Sequence, residues 1–115
     1  VRQNMRLKLP YPPSVNTIWR RVGNKTLLSK QGRLYRRNVA RHIVGSKRFE
    51  GRLSVTVNIH PPDRRKRDLD NVLKALFDGI THAGVWEDDS QIDELHVYRR
   101  DRVEHGLCIV EVEQI

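Results

Sequence analysis

Residues 61–91 read PPDRRKRDLDNVLKALFDGITHAGVWEDDSQ, and the rest of the chain is placed around them. Four consecutive cations, Arg64, Arg65, Lys66 and Arg67, abut Asp68 and Asp70; a second acidic group, Glu87, Asp88 and Asp89, follows the intervening segment. Between the two groups Leu69, Val72, Leu73, Leu76, Phe77 and Ile80 recur at the i, i+3, i+4, i+7 spacing of an amphipathic helix. Gly84 stops that pattern as a helix C-cap glycine does. The helix carries one acidic pair at its start, and the turn after it carries the other group.

Residues two apart on a helix point roughly 200° away from each other at about 3.6 residues per turn. Asp68 and Asp70 therefore converge only if at least one lies in extended or capping backbone ahead of the helix. Free N–H groups and the helix dipole favour a carboxylate there, so Asp70 reads as an N-cap or first-turn residue. Capping needs one side chain and leaves the four adjacent cations unexplained.

The alternative is a hard-metal site. Clustered carboxylates repel, a divalent ion compensates, and Mg²⁺ takes oxygen ligands while keeping waters open to a phosphate. Asp68, Asp70 and one of the later acids would supply the ligands, activating a water and stabilising charge on a phosphate under attack. Arg64, Arg65, Lys66 and Arg67 would bind the rest of the phosphate backbone. Lys74 shares the helical face of Asp70, four residues on. It is either a surface pair worth about 0.2–0.5 kcal/mol or, beside a metal, the group that steadies the attacking water or leaving oxygen. Asn71 and Asp88 read as hydrogen-bonding support for the ligands.

The run PDRRKRDLDN at 62–71, then Lys74, then WEDDSQ at 86–91, resembles the RusA family of Holliday junction resolvases. LPYPPSVN at 9–16 resembles the opening of that family, so the similarity covers nearly the whole chain. It implies a small dimeric Mg²⁺-dependent endonuclease, with Mn²⁺ as a substitute, often phage- or prophage-encoded. Such an enzyme cuts four-way DNA junctions symmetrically in recombination and repair. Carried over by motif, the metal ligands fall on Asp68, Asp70 and Asp89, and the essential lysine on Lys74. Lys66 stands where the basic run is commonly arginine. Glu87 makes the second cluster more acidic and leaves open which acid there binds.

Composition agrees with a polyanion partner. The net charge is +8 and the pI about 10.3. Residues 1–67 hold 18 Lys and Arg against 2 acids, whereas residues 68–115 hold 4 against 12. The first part is a phosphate-binding surface; the second contains acids that a metal would neutralise. At 115 residues and 37% hydrophobic, one domain spanning 1–115 is expected. No apolar run suits a membrane span or signal peptide. One cysteine, Cys108, reads as a buried thiol, and five histidines without zinc spacing argue against zinc. A reducing cytoplasm fits. Val1, where a methionine would begin a chain, suggests an altered or missing N-terminus.

Along the chain, Met5 to Leu9 alternates as a strand, and Pro10, Pro12 and Pro13 force an extended loop. Asn16 to Arg21 and Lys25 to Ser29 flank a hairpin turn at Val22-Gly23-Asn24. Ser29 caps a helix to about Gly45, with Tyr35, Val39 and Ile43 inward. Arg33, Arg37 and Arg41 form an outward row that no acid on the helix offsets, so the row reads as phosphate contact rather than a solvated face. Leu53 to His60 alternates with Leu53, Val55, Val57 and Ile59 inward. Ile92 to Arg100 and Leu107 to Ile115 read as an antiparallel pair across 101–106. The sum is an α+β domain, roughly β-ββ-α-β-α-ββ, with a mixed sheet packed by two main helices. Trp19 and Trp86 read as core or rim rather than base-stacking groups, His60 as structural, Asp63 as a turn residue and Asp78 as exposed. Two other functions stay open: a metal nuclease for other branched or single-stranded DNA, and a non-catalytic basic DNA-binding module.

Overall fold

The structure, a computed structural model, describes residues 2–43, 45 and 47–115. In order along the chain come β1 (Asn4–Leu9), the one-turn helix α1 (Val15–Ile18), β2 (Trp19–Val22), β3 (Lys25–Leu28) and α2 (Lys30–Arg41). There follow β4 (Leu53–His60), α3 (Asp70–His82), a 3-10 turn (Asp89–Gln91), β5 (Ile92–Arg99) and β6 (Leu107–Gln114). This is the expected α+β order, with the short α1 added where the first arm of the hairpin was expected to begin. No helix among the described residues is long and apolar enough to cross a membrane.

The alternation of β4 places Leu53, Val55, Val57 and Ile59 inward, each no more than 2% exposed. β4 pairs antiparallel with β6 and parallel with β5, and the four-stranded order is β1-β6-β4-β5. The inward rows of the neighbours, Val112, Val110 and Cys108 of β6 with Leu7 and Leu9 of β1, continue the same apolar face. Burial pushes the Cys108 thiol up to about 12, which suits a packing residue and not a nucleophile.

The last two strands depart from expectation. β5 and β6 do not pair with each other; they flank β4 on opposite sides. The β4–α3–β5 crossover returns the chain parallel to β4, and β6 then fills the slot between β4 and β1, where both its edges are paired. The segment between β5 and β6 crosses the end of β4 and is pinned there by Arg100 N–H to the Ile59 carbonyl (2.8 Å) and Val103 N–H to the Pro61 carbonyl (3.0 Å).

The helices cover the apolar face. α3 buries Val72, Ala75, Leu76, Phe77 and Ile80, and α2 buries Tyr35 and Val39. Gly79 permits their close approach, since a Cβ there would stand 3.1 Å from Val39 Cγ2. Beside this contact Arg36 donates two hydrogen bonds to Asp78, at 2.8 and 3.0 Å. Asp78 is therefore a partner of α2 rather than an exposed acid, and the expectation that nothing offsets the charge of α2 is corrected at Arg36. Ser29 caps α2 as expected, its Oγ accepting from Gly32 N–H at 3.1 Å. The helix ends at Arg41, short of Gly45; Val44, within the expected span, lies outside the described residues.

Gly32 fixes how α2 docks on the hairpin. A Cβ there would lie 2.6 Å from Leu28 Cδ1 and 2.8 Å from the Ile18 carbonyl oxygen. Backbone cannot yield as a side chain does, so Gly32→Ala is expected to destabilise by about 1–3 kcal/mol, the usual range for overpacking. A urea midpoint equal to or above that of the parent would show that the contact is not this tight.

Candidate active site

The basic loop is built on one acid. Asp63 accepts the Arg65 N–H at 2.9 Å and a guanidinium N–H of Arg67 at 3.0 Å, with a second Arg67 bond to its other oxygen. The Arg67 hydrogen bonds, then the Arg65 N–H, hold the Asp63 carboxyl far below the usual carboxylate range. Asp63 is a turn residue, as expected, and also a clamp. Arg67 is consequently half-buried and committed to the loop, and its guanidinium lies 5.8 Å from the centroid of the Tyr11 ring. Arg64, Arg65 and Lys66 are exposed. Arg99 donates to the Arg67 carbonyl, and with Arg102 it lines a shared cationic hollow against the loop. Sequence reading missed Arg99 and Arg102, although YRRDR at 98–102 gathers three of the four cations of the second segment.

Asp68 sits in irregular backbone and Asp70 is the first residue of α3, as the DLDN spacing requires. Neither caps the helix: Leu69 occupies the cap position, and among the described residues no side-chain cap hydrogen bond is made. Asp70 is therefore a first-turn acid that the helix dipole favours, not a side-chain cap, and Asp68 has no part in capping. Asn71 follows Asp70 in the exposed first turn. Lys74 lies one turn on, its Nζ 5.2 Å from the centroid of Trp19, within cation–π range. Trp19 is half-buried, and its indole N–H finds no partner among the described residues, whereas Trp86 is fully buried and donates to Thr81 at 2.6 Å.

The second acidic group is organised by Gln91, a residue to which the spacing assigns no role. Its amide oxygen accepts from Glu87 and Asp88 N–H at 2.9 and 3.1 Å, and its NH₂ donates to the carbonyls of Phe49 and Gly51 at 3.1 and 2.9 Å. Asp88 accepts the Ser90 hydroxyl at 2.6 Å, a bond that lowers its pKa. Partial burial, then the charge of Asp88 and more weakly that of Asp78, raises the pKa of Asp89. The ionised form of Asp89 is thus disfavoured by its surroundings, chiefly by desolvation and the neighbouring Asp88 carboxylate.

One chain does not gather Asp68, Asp70 and Asp89. Among the described residues no three His, Cys, Asp or Glu side chains come together as a metal site. α3 is 13 residues long, about 20 Å of helix, with one acidic group before it and the other after. Arg33, Arg37 and Arg41 lie on the exposed face of α2, Arg33 also donating to the Leu28 carbonyl at 3.0 Å. His60 turns Nδ1 to the Asp101 carbonyl at 2.8 Å, a structural role.

Fold and site together define a small cationic α+β domain that displays carboxylates at the mouth of its basic loop. The family model described as endodeoxyribonuclease RusA matches residues 10–113. A crossover junction endodeoxyribonuclease of Enterobacteria phage HK97 is 42% identical over 110 residues, 93% of this chain and 92% of its own. Those of Enterobacteria phage 82 and Escherichia coli K12 are 44% and 43% identical, each over 81% of this chain and 80% of their own. The chain belongs to the RusA endodeoxyribonuclease family.

The raised pKa of Asp89 carries a sign. A carboxyl whose folded pKa lies above its unfolded value penalises the fold above the folded pKa, and the penalty disappears below the unfolded value of about 3.9. Asp89→Asn is therefore expected to raise the melting temperature at pH 7.5 in EDTA, with the gain shrinking to nothing by about pH 3. Melting curves of both proteins at the two pH values check this; a lower melting temperature for the variant at pH 7.5 would contradict it.

Proposed function

We propose that this chain is a divalent-metal-dependent endodeoxyribonuclease that resolves four-way DNA junctions by symmetric hydrolysis, acting as a homodimer. The observation that carries the reading is the start of α3, where Asp68 and Asp70 stand beside exposed cations without capping the helix. The relatives named above are crossover junction endodeoxyribonucleases, which supports the same substrate here.

Asp68, Asp70 and Asp89 offer hard oxygen donors, the set that suits Mg²⁺ or Mn²⁺. Such an ion, when bound, lowers the pKa of a water and neutralises charge developing on the scissile phosphate. The chain's own groups do the rest. Arg64, Arg65, Lys66, Arg99 and Arg102 hold flanking phosphates, with the Arg33, Arg37 and Arg41 row as further contact along an arm. Asp63 keeps Arg67 from swinging out and so fixes where the loop presents its charges. Lys74, steadied against Trp19, places an N–H beside the leaving oxygen and offsets its charge. Asn71 and Asp88 orient the carboxylates. Asp89 is preferred to Asp88 or Glu87 as the ligand of its turn.

The separation of the acids gives the dimer its purpose. β5 is an edge strand with Leu95 and Tyr98 each 43% exposed, and exposed apolar edges invite pairing. Asp89 lies just before β5, and Arg99 at its far end touches the basic loop. Two β5 edges paired antiparallel about a two-fold axis place Asp89 of one copy near Asp68 and Asp70 of the other. Two such sites match the two-fold symmetry of the junction.

Cleavage of a labelled four-way junction in Mg²⁺, against duplex and flap controls, tests the activity, with Asp70→Asn expected to bind but not cut. Mixing variants tests the sharing of sites. An Asp68→Asn chain paired with an Asp89→Asn chain leaves one intact site if ligands come from both copies, and none if each copy is self-sufficient. Nicking restored by mixing two inactive variants is the expected result; continued inactivity of demonstrated heterodimers would exclude the shared site.

A further inference from the structure

All five prolines of the chain, Pro10, Pro12, Pro13, Pro61 and Pro62, lie in two loops, residues 10–14 and 61–69. These loops face each other across a groove of about 640 Å³, a volume typical of small-ligand sites. Its apolar wall is Tyr11, Pro12, Pro13 and Val72, and Arg65 and Lys66 form a cationic lip. Asp68 and Asn71, from the start of α3, close one end.

The walls are rigid for reasons that packing alone does not demand. Proline fixes φ, so both loops lose little entropy when something binds between them. Tyr35 Oη donates to the Pro10 carbonyl at 2.8 Å, tying the first loop to α2. The Asp63–Arg67 clamp holds the second loop, and the Arg67 guanidinium lies against the Tyr11 ring. Gly106 backs that ring, for a Cβ there would stand 2.6 Å from Tyr11 Cβ and 2.8 Å from Cγ. Two contacts, from Arg67 and Gly106, thus hold one aromatic ring at the wall of the groove, two more fix the loops on either side of it, and the lip carries exposed cations.

We propose that this groove holds an unstacked nucleobase of the strand being cut, its ring against Tyr11 and the prolines and its phosphate on Arg65 and Lys66. A flat apolar slot matches a base, and the cationic lip matches the phosphate that accompanies it. The groove shares Asp68 with the reaction site, so the base is one beside the scissile phosphate. A base in a continuous duplex must be unpaired and unstacked to enter, whereas one at a branch point already lacks part of its stacking. The groove is therefore a source of selectivity for branched over linear DNA. The placement beside the cut rests on the function proposed above; occupancy of the groove does not.

The test is a coupling cycle between Tyr11 and the base, read by gel-shift affinity in EDTA so that cleavage plays no part. Abasic residues are placed one at a time at the nucleotides around the branch of a four-way junction. One position is expected to weaken binding by the parent about tenfold, the scale of one base–aromatic stack. Tyr11→Ala should lose about as much on the intact junction and nothing further on that abasic one. Tyr11→Phe, which keeps the ring and its packing on Gly106, should behave as the parent does and excludes loss of folding as the cause. If no abasic position costs more than about twofold, or if the two losses multiply, no base sits against Tyr11 and the proposal falls. Failure of the parent to cut with Mg²⁺ would instead remove the enzymatic reading and leave this measurement standing.

Discussion

β4 is paired along both edges and buried along its whole inward row, and the positions of the basic loop and of both acidic groups follow from that. A strand held this way cannot shift register without turning Leu53, Val55, Val57 and Ile59 to the other face. Its last residue, His60, delivers the chain into the basic loop, which is fixed at its root by bonds to the Ile59 and Pro61 carbonyls. α3 then returns across the sheet, so Asp68 and Asp70 lie at the end of β4 at which the loop emerges. Gln91 ties the second acidic turn to the segment entering β4 at the opposite end. The two acidic groups are thus assigned to the two ends of one rigid element.

The density of positive charge in the loop needs its own support. Exposed arginines at neighbouring positions repel each other, and loop backbone gives little resistance to their spreading. Asp63 answers this locally by binding Arg67 and the Arg65 N–H, which makes one of the four cations structural and leaves three for a ligand. Arg36 and Asp78 act in the same way between α2 and α3. Both acids convert a cation into a bracket. Neither lies among the residues proposed for chemistry, yet each fixes elements that carry them.

What could be read from the sequence divides along a physical line. Periodicity reports the face on which a side chain lies, because burial is local to the strand or helix, and so the inward rows of β4, α2 and α3 were legible. It does not report which strand lies alongside. β5 and β6 alternate well enough to be a hairpin, and only the competition for the slot beside β1 and β4 decides otherwise. The DLDN spacing revealed that Asp68 and Asp70 must straddle a helix start, a constraint of helical geometry. Nothing in that spacing shows that the third acid is a helix length away. Asp78 reads as exposed because its partner, Arg36, belongs to another helix 42 positions earlier in the chain. The organising role of Gln91, though the residue closes the WEDDSQ motif, was not legible for a related reason: its four partners are backbone groups, and backbone carries no sequence signal.

The distance along α3 bears on the selectivity proposed for this chain. A nuclease with a complete acidic site in each copy would be able to cut wherever its cations bound phosphate, and cations bind any duplex. Splitting the acids between the ends of a helix means that a single copy holds at most a pair of them near the loop. On the dimeric reading a full set forms only where two copies meet, which ties each cut to a second site related by symmetry. The groove beside Tyr11 adds an independent condition, because it is filled only where a base is free to leave its stack. The two conditions select different things, assembly in one case and branched structure in the other. On that reading, any non-specific binding to linear DNA that a net charge of +8 favours carries little risk of a cut.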